Sequence, residues 1–154
     1  MKIFDFNSRD FNLHYKTGFT ILTNCCLLIE TYVSFRVKKY RSTKRTSREC
    51  FAYFFTSEKR FFDLSTGGLP NDFYDNVRCG ILHNGETRNG WTITRNKNKP
   101  YFEPITKTIN ATKFANRLKQ VLREYQNSLD NSDFDTDDIW INFTNRLTDL
   151  ISKS

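Results

Sequence analysis

One stripe of apolar residues limits this chain more than any other feature. From Asn110 onward, Phe114, Leu118, Val121, Leu122, Tyr125 and Leu129 recur at steps of three and four, with Lys, Arg, Gln and Glu between them. An α-helix turns once every 3.6 residues, so these positions share one side of a helix and leave the other side polar. Such a helix is stable only when its stripe is covered by another element. A second stripe, Leu22, Cys26, Ile29, Val33, Val37 and Tyr40, predicts a helix from about Tyr15 to Tyr40. Two long amphipathic helices in 154 residues point to a mainly α protein.

The remaining elements follow from local signals. Thr46-Ser47-Arg48-Glu49 has the form of a capping box and predicts the start of a helix. Phe51, Phe54, Phe55, Phe61 and Phe62 then form an apolar face, most simply core; base-stacking aromatics are the sharper alternative. Gly67-Gly68-Leu69-Pro70 breaks the chain. A further helix is expected from Asn71 or Asp72 through Phe73, Tyr74, Val77 and Ile81 to His83. It should stop at Asn84-Gly85, two residues that tolerate a left-handed C-cap. Trp91 to Arg95 and Tyr101 to Glu103 predict a small β-hairpin. Asp135 or Thr136 should cap a last helix with Trp140, Phe143, Leu147, Leu150 and Ile151 inside. The expected architecture over 1–154 is a single domain: a bundle of about five helices with a small hairpin insertion.

The charge is +7 and uneven. Arg36, Lys38, Lys39, Arg41, Lys44, Arg45 and Arg48 cluster in one stretch, and Asp130, Asp133, Asp135, Asp137 and Asp138 crowd near the other end. A basic cluster favours polyanions, so Lys38, Lys39, Arg41, Lys44, Arg45 and Arg48 are candidate RNA-backbone contacts; a merely solvated face is the plain alternative. Cys25, Cys26, Cys50 and Cys79 contain no C-x-x-C pair, and only His14 and His83 could assist them, so no metal or other cofactor is expected. No signal-like start is present, and Asn24, Glu30 and Arg36 interrupt the best apolar run; the expectation is a cytoplasmic protein without a membrane partner, its thiols reduced.

Phosphate-binding P-loops and G-x-S-x-G elbows are absent. What remains is Arg78-Cys79-Gly80-Ile81-Leu82-His83. A helix C-terminus favours imidazolium while a nearby Arg opposes it, and the two effects together suit His83 to acid–base work near neutrality. Arg78 can fork onto a phosphate. An i,i+5 pair lies roughly 140° apart on an ideal helix, so one chain aligns the two poorly. A two-fold dimer would bring two Arg–His pairs to one cleft. Glu30 lies roughly 80° from the centre of its helix stripe. It is either an ordinary boundary charge or an acid aimed at a buried cation.

The stretch from Phe73 to His83, with Arg78 and His83 five apart late in a helix, resembles the signature of HEPN domains (higher eukaryotes and prokaryotes nucleotide-binding). The resemblance implies an all-helical, dimeric fold. It also implies metal-independent RNA cleavage in toxin–antitoxin, phage-defence or RNA-processing systems, with an antitoxin or defence protein as a further partner. Other members of that family only bind nucleotides or serve as scaffolds. The family's acid in an earlier helix would correspond here to Glu30, and Asn84 would be the stop beside the site. Active members commonly carry a polar residue directly after the motif Arg, where this chain has Cys79. In the alternative reading, Arg78 ties a carboxylate such as Glu30 into the bundle and His83 caps carbonyls.

Overall fold

Apolar spacing sets where each helix forms, and identifiable backbone chemistry sets where it ends. The computed structural model describes residues 17–40 and 47–152. His14, Arg41, Lys44, Arg45 and Thr46 lie outside the described residues. α1 runs Thr17–Arg36 and is followed by a 3₁₀ turn at Lys38–Tyr40. Leu22, Cys26, Ile29 and Val33 are buried, and the helix packs against α2 (Ser47–Ser57), α5 (Ala111–Asp130) and α6 (Asp138–Ile151). Contrary to the expectation from sequence, α1 is long and apolar enough by length and composition to match a membrane span. Its central place among three other helices accounts for that apolar content.

The capping of α5 follows from Asn110, which stands in an extended conformation (φ −87°, ψ 102°) and accepts a hydrogen bond from Lys113 N at 3.2 Å. α2 ends where Glu58 turns extended (φ −96°, ψ 102°), and a 3₁₀ helix at Lys59–Leu64 replaces it. This break corrects one expectation. Phe51, Phe54, Phe55 and Phe61 are fully buried, whereas Phe62 is 61% exposed, because the tighter 3₁₀ turn no longer returns it to the apolar side.

The helical rod that carries Arg78 and His83 is not uniform. Gly68 at φ 78° precedes α3 (Leu69–Phe73), and Pro70 occupies its first turn, where a fixed φ suits a helix start. A π-helical turn, Tyr74–Arg78, comes next, with Cys79 N donating to Tyr74 O; α4 (Cys79–Asn84) completes the rod. α4 ends at Asn84, where Gly85 takes the left-handed conformation (φ 71°) and its N–H bonds Ile81 O. Six α-helices therefore stand among the described residues, two of them halves of one rod.

Three short strands form one sheet in the order β1-β3-β2, with β1 at Thr92–Thr94, β2 at Phe102–Glu103 and β3 at Thr108–Asn110. The expected hairpin is thus re-paired. β1 and β2 are not paired with each other; β3 lies between them, parallel to β1 (Ile93 opposite Ile109) and antiparallel to β2 (Phe102 opposite Ile109). Three residues leading into a helix carry too little alternation to announce a strand.

The last helix departs from expectation as well. It begins one residue after Asp137, and none of its residues is fully buried. Trp140 and Phe143 pack at its inner edge, Trp140 donating Nε1–H to Leu129 O (2.9 Å) and Phe143 lying 4.9 Å from Phe35. Leu147 and Leu150 are 43% exposed and Ile151 is 67% exposed. The core itself is aromatic, with Phe73 stacked on Phe114 (5.8 Å, 7°) and Trp91 on Phe102 (5.7 Å, 17°).

Candidate functional site

The candidate site lies where α1, the start of α2 and the π turn converge. Glu30 sits on the edge of the α1 stripe and so faces along the packed surface rather than into it. Its Oε1 accepts from Arg78 Nε at 2.8 Å and its Oε2 from Arg78 NH2 at 3.3 Å, a fork–fork pair between residues 48 positions apart. The side chains are 24% and 16% exposed, which puts the pair between surface and core. Burial acts against the Arg78 charge, but the hydrogen bonds and charge of Glu30 outweigh it and hold the guanidinium's pKa above its ordinary value. Ser47, the first residue of α2, donates its hydroxyl to Glu30 Oε1 at 2.5 Å.

A second pair flanks the first. Arg48 donates NH1 and NH2 to the two oxygens of Asp75 at 2.7 and 2.6 Å. Both guanidiniums approach the Tyr74 ring, Arg48 at 5.2 Å and Arg78 at 5.5 Å from its centre. Burial raises the Tyr74 phenol pKa. Cys79, half-buried, is next to Arg78 in the chain.

Gly80 explains how the loop after α4 closes over this rod. A Cβ built on Gly80 would stand 2.5 Å from Glu86 O, so only glycine lets the loop approach. Asn76, buried in the π turn, fastens that loop. Its carbonyl accepts from Arg88 N (2.9 Å), its Oδ1 from Asn89 Nδ2 (2.7 Å), and its Nδ2 donates to Asp72 Oδ1 (2.5 Å). Arg88 in turn donates to Asn84 Oδ1.

The structure brings Glu30 and Arg78 together and leaves His83 apart. His83 is exposed on the last turn of α4, about 7.5 Å along the axis from Arg78 and on another side of the rod. Among the expected RNA contacts, Lys38 is exposed, Lys39 pairs with Glu49 (3.1 Å), and Arg48 is committed to Asp75. Arg41, Lys44 and Arg45 are outside the described residues. Ser47, Tyr74, Asp75 and Asn76 join the site without having been singled out for it. Only Ser47 had a usable signal, its place in the capping-box tetrad, and it spends its hydroxyl on Glu30 instead. Among the described residues no group of three or more His, Cys, Asp or Glu side chains is arranged to hold a metal.

No family model, curated protein or solved structure matches the chain.

Proposed function

We propose that this protein is a metal-independent, RNA-cleaving protein of HEPN-like fold, with a site that combines Glu30, Arg78 and His83 across a two-fold dimer. The observation that carries the reading is the forked Glu30–Arg78 pair on the same rod as an exposed imidazole. The carboxylate occupies Nε and one hydrogen of NH2, which orients the guanidinium and leaves NH1 for a phosphate oxygen. In cleavage, His83 takes the proton of a ribose 2′-OH and that oxygen attacks phosphorus. The bond from phosphorus to the 5′-oxygen breaks, and the His83 of a second copy protonates the leaving oxygen. Arg78 stabilises the charge of the phosphorane. The products are a 2′,3′-cyclic phosphate and a 5′-hydroxyl. The setting we propose is cytoplasmic, in toxin–antitoxin or phage defence, with RNA, a second copy and an antitoxin or defence protein as partners.

A non-catalytic RNA- or protein-binding module is the second reading. It is favoured by the same ion pair, which already matches the Arg78 charge, and by the separation of His83 from it. Mixed dimers decide between the two. Arg78→Ala and His83→Ala subunits, folded and combined, should cleave less than the parent. Full activity in both homodimers and in the mixture would remove the catalytic reading.

A further inference from the structure

A second basic feature lies away from Glu30, at the far end of α2. There the ends of α1 and α2, the following 3₁₀ helix and the first half of α5 enclose an open cavity of about 990 Å³. Five cations line it, Arg36, Lys59, Arg60, Lys113 and Arg117, against two carboxylates, Glu58 and Glu124. Two of the cations are already neutralised: Arg36 pairs with Glu58 at 2.9 Å and Arg60 pairs with Glu124. Lys59 and Lys113 have no carboxylate partner among the described residues. Arg117 has none either; its guanidinium lies 3.7 Å over the Tyr101 ring and donates to Arg60 O, which fixes its plane. Three cations on one concave wall repel one another unless an anion lies between them. Asn116 and Gln120, on the same face of α5 as Lys113 and Arg117, add amide donors.

We infer that this cavity binds a run of phosphates. A single phosphate ion would fill a small part of the volume and meet few of the cations. Two or three linked phosphates fit within the cavity with room to spare and match the excess of three positive charges along its wall. Ser47, beside Glu30, stands at the first end of the 11-residue α2, and the cavity is at the other, about 15 Å away. The site is thus distinct from the Glu30–Arg78 pair and does not depend on cleavage.

The test uses the full chain and a 2′-O-methyl 12-mer of uridine. Blocking the 2′-oxygen removes the nucleophile, so failure here is separate from failure of the cleavage reading. Binding is followed by fluorescence anisotropy across salt, for the parent and for Lys59→Gln/Lys113→Gln. Two lost phosphate contacts should weaken binding by on the order of tenfold at low salt, and make the log–log salt slope shallower by about 1.4. The charge-preserving Lys59→Arg/Lys113→Arg protein should bind like the parent, which separates lost charge from lost folding. Inorganic triphosphate added as competitor identifies the source. Displacement of the 12-mer means that phosphates alone are recognised, as in a free polyphosphate; no displacement means that the site requires an RNA backbone. An unchanged affinity and slope in the glutamine variant, or no binding of either probe at low salt, overturns the inference.

Discussion

Gly80→Ala offers an unusually clean test of how this site is built, because two effects of opposite sign compete. In an ordinary helix interior, replacing Gly by Ala stabilises by roughly 0.5–1 kcal/mol, since the unfolded chain loses freedom and the helix gains propensity. At Gly80 the new Cβ would lie 2.5 Å from Glu86 O, a backbone atom that cannot swing aside. Ordinary contact begins about 1 Å further out, so the loop from Glu86 to Asn89 has to lift by about that much. Lifting it strains or breaks the bonds from Arg88 N and Asn89 Nδ2 to Asn76, each worth about 1 kcal/mol, on top of an overpacking cost of about 1–3 kcal/mol. The net expectation is a destabilisation of about 2–4 kcal/mol, or a melting temperature lower by roughly 4–16 °C for a chain of this size. Urea denaturation followed by far-UV circular dichroism reads it directly. A variant as stable as the parent, or more stable, would mean that the loop does not press on α4 as described.

Three more outcomes follow. A double-mutant cycle with Glu30→Gln and Arg78→Gln should give a coupling of about 1–2 kcal/mol in urea denaturation, between the values for exposed and buried pairs; less than about 0.5 would make the fork incidental. Asp72 works against burial, yet donors from Lys107 (2.8 Å) and Asn76 outweigh it and hold its carboxyl below the ordinary 3.8. Its contribution is therefore present above that ordinary value and lost as pH falls through the lower folded value, so the stability gap between the parent and Asp72→Asn should shrink from pH 5 to pH 3; a constant gap refutes this. Burial pushes the thiols of Cys25 and Cys50 up to about 12 and about 11 and raises that of Cys26 further, so native protein at pH 8 should show one rapidly modified thiol, Cys79, against four in denaturant. Rapid modification of a second thiol would contradict the burial of Cys25, Cys26 and Cys50.

Where the periodicity was long, the sequence was informative. The α5 and α1 stripes each repeat over about four or five turns; Phe114, Leu118, Val121 and Leu129 of the first and Leu22, Cys26, Ile29 and Val33 of the second are buried, while α1 stops at Arg36, short of Val37 and Tyr40. Short elements were harder to read, for stated reasons. β3 has three residues and hydrogen-bonds on both sides, so its placement depends on partners distant in the chain. The π turn inserts one residue into the helical repeat at Tyr74–Arg78, and nothing in the residue types there forbids an ordinary α turn. Phe62 and α6 misled for the same reason: an apolar pattern says that a face exists, while the supply of neighbours decides whether it is covered. At the site, Glu30 on the margin of its stripe and Arg78 in its motif were both visible. The Asn76 bonds and the approach of Arg48 and Arg78 to the Tyr74 ring were not, because they depend on how separate elements meet.

The central claim, that Glu30, Arg78 and His83 cleave RNA without a metal, is tested most directly by product chemistry. Purified parent and His83→Ala proteins, shown to melt alike, are incubated with 5′-labelled RNA in EDTA, and the ends are identified with a 3′-phosphatase and a 5′-kinase. The account predicts that the parent yields 2′,3′-cyclic phosphate and 5′-hydroxyl ends and that His83→Ala yields neither. Equal cleavage by both proteins, no cleavage by the parent, or activity that returns only with a divalent ion would contradict it.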